Sequence, residues 1–298
     1  MHKVQNGCLQ NELSERLKGL KKLAPDKFSL AALEGAGRTI ADIDNPLRLN
    51  FFSTAMRILF EHVTTTLARN DEVVRCSWFR TEQDSGKPTR WQRATFAIQG
   101  GFSDEFVTGN LGVDPRPLRK RLLSAIDDLS KHVHGRENTI ILDRDEQNAF
   151  AIGTVDAMAA FLEAVHDCRA AVLEPIEEEL DGTAVDALLS ETIGNVDELA
   201  SHHSIEEIYV DRIFVHTIGA DTITYRATGS VSVVLQWGSN SDLRRGDGAE
   251  LDQSFPFNCD IALPLEEPWE IGMAEISYGV DTSEWTDAMR PDEWAEWI

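Results

Sequence analysis

Arg57 and His62 stand five positions apart in a mostly apolar stretch running from Asn45 to Asn70. A histidine moves protons near neutral pH and a guanidinium holds phosphate oxygens. The pair therefore has the chemistry needed to cut a phosphodiester: His62 as proton carrier, Arg57 as stabiliser of the charge that develops on the phosphate. Helical geometry works against it. A five-residue step turns ~500°, which leaves the two side chains ~140° apart. Glu61 lies one turn beyond Arg57, so an i,i+4 salt bridge is the alternative use of Arg57. A packed core or interface histidine is the alternative for His62. A second pair, Asp128 and His132, has a carboxylate one turn before an imidazole, where it can orient the ring for proton transfer. His134 and Arg136 follow at the end of that helix, where cations answer the helix dipole.

Phosphate contact needs cations. Arg116, Arg119, Lys120 and Arg121 crowd the first turns of a helix whose free N–H groups already attract anions. Trp78, Arg80, Arg90, Trp91 and Arg93 interleave aromatic and basic side chains, the mixture used to stack bases and hold a backbone. Arg90, Arg93 and the 116–121 cluster are the candidate nucleic-acid contacts. Asp242, Asp247, Glu250 and Asp252 match no metal-loop spacing, so neither metal nor cofactor is expected.

The elements that must position these residues are legible from periodicity. Phe52, Met56, Leu59, Val63 and Leu67 recur at helical spacing, with Phe51, Ala55 and Ile58 as a second apolar stripe beside them. So wide an apolar arc predicts a helix central to a bundle, started by Asp44 or Asn45 with Pro46 in its first turn. Further helices are expected over 9–24, near 28–36, over 89–98 with a Thr89 cap, from Asp114 to Gly135 with Leu118, Leu122, Ile126, Leu129 and Val133 as a stripe, over 154–180 broken at Pro175, and over 183–200. From Ile208 the period becomes two. Strands are expected over Ile208–Ile218, Thr222–Thr228, Val231–Trp237 and Ser254–Leu263, with a turn at Gly229. The fold class is α+β: an all-α domain over 1–150, an acidic helical connector over 151–204, and a smaller antiparallel β domain over 205–298.

Net charge is −23 and it is unevenly placed. Residues 1–150 hold 22 Lys and Arg against 20 acids; the remainder hold 6 against 31, and every lysine is in the first half. Any phosphate contact thus belongs to the first half, and the acidic half is expected to meet a protein partner. Cys8, Cys76, Cys168 and Cys259 are widely spaced and read as reduced thiols of a cytoplasmic protein. No apolar run approaches a membrane span and none is expected.

Two segments carry a family likeness. Asn45-Pro46-Leu47-Arg48-Leu49-Asn50 onward to Gln99-Gly100-Gly101-Phe102-Ser103-Asp104-Glu105-Phe106-Val107 is one; Leu235 to Asp242 with Gly246-Asp247-Gly248 and Ser254-Phe255-Pro256-Phe257 is the other. Together they resemble an uncharacterised bacterial family of predicted PIWI-associating nucleases, found near defence genes. Separately, Arg57-x4-His62 resembles the motif of the HEPN ribonucleases, helical domains that dimerise and cleave RNA without metal. Ile58 stands where those enzymes often have a polar residue. The resemblances imply a cytoplasmic antiviral defence effector: a homodimeric, metal-independent endoribonuclease whose HEPN-like N-terminal bundle binds RNA and whose acidic C-terminal domain meets a partner from the same operon. The alternatives are a non-catalytic defence adaptor and a metal-dependent DNase built on the 240–252 loop.

Overall fold

A computed structural model describes residues 2–82, 85–133, 140–190 and 193–288. His134, Arg136, the Cys8 side chain and the acidic C-terminal end lie outside the described part. The order is α1 (His2–Lys22), α2 (Lys27–Ala41), α3 (Arg48–Leu67), α4 (Asn70–Val73), α5 (Arg90–Gln99), α6 (Asp104–Gly109), α7 (Pro115–Val133), α8 (Arg144–Leu173), α9 (Glu177–Ser190) and α10 (Gly194–Asp197). Then come β1 (His202–Ile218), β2 (Thr222–Trp237), α11 (Asn240–Arg245), β3 (Ala249–Pro264), β4 (Glu275–Val280) and α12 (Ser283–Ala288). Helices followed by an antiparallel sheet make the class α+β, as expected. The described residues fall into two compact units: those up to 171 with 219–221, and those from 172 onward without these three. Residues 151–171 of the expected connector thus lie in the first unit and 172–204 in the second.

In the first unit, α3 packs on α2, α5 and α7. Phe52, Met56, Leu59 and Val63 are essentially inaccessible. Each such side chain contributes roughly 1.5–3 kcal/mol by leaving water. The helix is central, as its wide apolar arc predicts, but the second stripe is only partly covered: Phe51 and Ile58 are each 49% exposed. The helix is capped differently too. It begins at Arg48, and Asn45 turns its side chain onto the Leu47 N–H (2.9 Å). At α5 the Thr89 cap is present as a reciprocal box with Gln92. By length and composition α8 could cross a bilayer, and half of that stretch is already buried in the protein.

Two guanidinium groups lie inside this unit. Arg48, 1% exposed, donates to Gln147 Oε1, to Asn148 Oδ1 (3.0 Å) and to the carbonyls of Ile40 (2.8 Å) and Arg144 (3.3 Å). All four acceptors are neutral. Burial, together with the nearby Arg144 charge, lowers its pKa, against a smaller pull from Asp42. Arg119, also 1% exposed, donates from both Nη atoms to Asp104 (2.9 and 2.6 Å) and from Nη1 to Gln99 Oε1 (3.1 Å). Its place corrects the expectation of a phosphate contact. It occupies the inward stripe Pro115, Arg119, Leu122, Ile126, Leu129, not the solvent side of α7.

The second unit is a meander, β1-β2-β3-β4, with every neighbouring pair antiparallel. β2 buries alternate residues from Ile223 to Leu235, and Phe255, Phe257, Cys259, Ile261 and Leu263 of β3 join them on one face. α9 packs on the sheet and buries Leu180, Ala184 and Leu188. Gly229 is no turn: β2 runs through it unbroken, paired with Val210 on one side and Phe257 on the other. A Cβ there would overlap the Tyr209 carbonyl oxygen, so only glycine lets β1 pair with β2 this closely. β4 has no counterpart among the expected strands.

The buried guanidinium groups yield two predictions. Arg48→Met should lower unfolding free energy by roughly 3–5 kcal/mol, because several buried acceptors lose their donor at once. Urea denaturation showing under ~1 kcal/mol would contradict the role given to Arg48. Asp104→Asn should cost a similar amount near neutral pH, leaving Arg119 buried without a counter-charge. The Arg119 bonds hold the Asp104 carboxyl below the usual carboxylate range despite partial burial. Its contribution is therefore complete above the unfolded value of ~3.9 and fades as pH falls toward the lower folded value. The stability gap between wild type and Asp104→Asn should narrow below about pH 4; a gap independent of pH would refute this.

Candidate functional site

Thr54, Arg57, Glu61 and Thr64 recur at spacings of three, four and three, and so form one polar stripe on α3. That stripe walls a groove of about 370 Å³ between α3, α5 and α7. Arg90 and Ala94 face it from α5, and Leu122, Leu123, Ile126 and Val133 line it from α7. Thr54 and Thr64 turn their hydroxyls onto carbonyls of their own helix, at 2.9 and 2.7 Å. The Arg57–Glu61 salt bridge is not made. Glu61 lies 3.7 Å from Arg93 instead, and Arg57 has no ion pair or hydrogen bond among the described residues. Among the described residues, Arg90 has one long pair, with Asp127 at 3.8 Å. The groove thus offers two weakly engaged guanidinium groups over an apolar floor. That combination suits an anionic group attached to a flat or apolar body.

His62 is elsewhere. Its Nε2 bonds Asp26 Oδ2 at 2.7 Å and its ring lies 4.4 Å from that of Phe28. Asp26 also caps α2, accepting from Ser29 N–H at 2.7 Å. Partial burial works to raise the Asp26 carboxyl, but the Ser29 and His62 bonds hold it below its ordinary range. The fold therefore does not bring Arg57 and His62 together within one chain, as the helical step implies.

Asp128 accepts from Lys131 at 2.8 Å in an i,i+3 surface pair. The His132 ring meets the edge of Phe150 at 4.8 Å, while its carbonyl accepts from Asn50 Nδ2 at 2.6 Å. His132 immediately precedes Val133, which lines the groove. Of the basic cluster, Arg116 is paired with Asp114 (2.9 Å), Arg121 reaches Asp156 only at 3.9 Å, and Lys120 is exposed. Arg93 keeps one buried Nε–H without an acceptor among the described residues.

Other candidates carry less chemistry. Burial pushes the Cys76 thiol up to about 12 and those of Cys168 and Cys259 up to about 11, so none of the three is held as a thiolate. In the acidic loop, Asp242 is occupied at home. It closes a capping box with Ser239 and accepts from Arg245 at 2.6 Å. Sequence reasoning found Arg57 and Arg90 but missed the groove that joins them. The polar spacing of Thr54, Arg57, Glu61 and Thr64 is the signal that could have shown its α3 wall.

Two family models match the chain, one over residues 20–158 and one over 165–286, and both are described as "predicted pPIWI-associating nuclease". No curated protein and no solved structure matches it. With the helical half and the sheet half each covered by a model of that description, the chain belongs to the family of predicted pPIWI-associating nucleases.

Proposed function

We propose that this member of a nuclease family is a metal-independent endoribonuclease of bacterial defence, and that it holds its substrate in the α3/α5/α7 groove. The observation that carries this reading is Arg57: a half-buried guanidinium without a protein partner among the described residues, facing Arg90 across an apolar-floored groove. Arg57 and Arg90 hold the scissile phosphate and stabilise its charge as the 2′-OH attacks. Proton transfer falls to His132, next to groove-lining Val133: its imidazole takes the 2′-OH proton and returns one to the 5′-oxygen as the P–O5′ bond breaks. It does not fall to His62, which is engaged with Asp26 on another face of α3. The likeness to HEPN enzymes then lies in the chemistry and not in the five-residue motif. The acidic second half is the surface for a protein partner, and the family description points to one of PIWI type.

Three outcomes test the assignment. RNA should be cut in EDTA, leaving a cyclic phosphate end, while the same sequence as DNA should survive for want of a 2′-OH. Cleavage only on adding Mg²⁺ would move the reaction to another mechanism. His132→Ala should reduce cleavage about 10²-fold or more with melting temperature near wild type. His62→Ala should lose stability and keep the chemistry. The opposite pattern would return the proton to His62. Arg57→Ala and Arg90→Ala should each weaken RNA binding and reduce the slope of log affinity against log salt by about one; slopes equal to wild type would remove the groove from substrate binding.

A further inference from the structure

On the other side of the α5 N-terminus lies a second cavity, of about 280 Å³, formed by the 78–82 segment, α5 and the start of α6. Arg90 and Trp91 are the first two residues of α5; Arg90 faces the groove and Trp91 lines this cavity. Trp78 is a second aromatic wall, fixed by its Nε1 donating to the Gly100 carbonyl at 3.1 Å. Trp91 has Arg119 over its ring at 4.8 Å and is still 38% exposed. The volume is at the lower bound of small-molecule sites, roughly 300 Å³, enough for a flat ring and not for a whole nucleotide.

The charges exclude a phosphate. Two guanidinium groups, Arg80 and Arg119, face three carboxylates, Glu82, Asp104 and Glu105. Arg80 is spent on the Ser77 and Phe79 carbonyls, and Asp104 on Arg119. Glu82 and Glu105 remain as acceptors without a partner among the described residues. Arg119, lining the same cavity, keeps a buried Nε–H that has no acceptor among the described residues. Two acceptors and one donor without partners among the described residues, in a cavity that two indoles also line, match a planar group that donates twice and accepts once.

We propose that this cavity reads a nucleobase, and that the base is guanine: its N1–H and 2-amino group donate to the Glu82 and Glu105 carboxylates, and a ring acceptor meets the Arg119 donor. The inference rests on the nucleic-acid reading above and extends it. The groove holds a phosphate and the neighbouring cavity selects the base beside it.

The test uses guanosine, which has no phosphate and so bypasses the groove. Titrated into the full chain, guanosine should quench tryptophan fluorescence saturably, with adenosine and uridine at least about tenfold weaker. Trp91→Phe should diminish the quench. Glu105→Gln, at an exposed position, should erase most of the guanosine preference with the melting temperature unchanged. Trp91→Ala should weaken binding of guanine-containing single-stranded RNA roughly tenfold, within the range for one stacked base. Absence of a guanosine quench, equal quenching by all three nucleosides, or a preference that survives in both Glu82→Gln and Glu105→Gln would overturn the proposal. If guanosine binds as expected while Arg57→Ala and Arg90→Ala leave RNA binding unchanged, the groove assignment fails alone and the base pocket stands.

Discussion

A guanidinium cannot shed its proton to enter a protein interior, so each buried arginine must find acceptors or unfold its surroundings. Arg48 and Arg119 impose that constraint on the first unit. Arg48 is the first residue of α3, and its acceptors come from α2, from Arg144 at the start of α8, and from Gln147 and Asn148 in the next turn. Arg119 sits in the second turn of α7, and its acceptors are the last residue of α5 and the first of α6. Two of the groove walls are thereby tied at α7 and α5, and the third is fixed at the head of α3. The polar stripe of α3 is left facing the gap, with Arg57 lacking a protein partner among the described residues.

Much of this architecture was legible because it follows from local periodicity. The Phe52–Val63 stripe, the Thr89 cap, the break at Pro175 and the switch to a two-residue period from Ile208 are all properties of short windows, although β1 already begins at His202. The failures are equally physical. The burial of Arg119 was open to inspection, since 115, 119, 122, 126 and 129 have helical spacing, but a charged residue on an apolar stripe reads as surface until its counter-ion is known. Asp104 supplies that counter-ion from fifteen positions away. Gly229 reads as a turn because the clash it avoids, with the Tyr209 carbonyl, lies on another strand. Phe51 and Ile58 read as core because periodicity gives a face and says nothing of whether a neighbour covers it.

The candidate site was less legible than the fold. Helical geometry alone indicated that Arg57 and His62 diverge. The partner that takes His62 is thirty-six positions away, and the groove that receives Arg57 needs α5 and α7 as well as α3. Arg57, Arg90 and Trp91, whose side-chain types suit phosphate and base contact, line two adjoining cavities around one helix start. The acidic second unit carries few cations, which places any steering of a polyanion on the first unit.

Photo-crosslinking locates bound RNA directly. With the full chain and a single-stranded RNA carrying 4-thiouridine at several positions, crosslinked peptides should come from residues 54–64, 90–94 and 122–133, the three walls of the groove. Crosslinks confined to residues 172–298, or none at low salt, would contradict the claim that the α3/α5/α7 groove is where this protein meets its substrate.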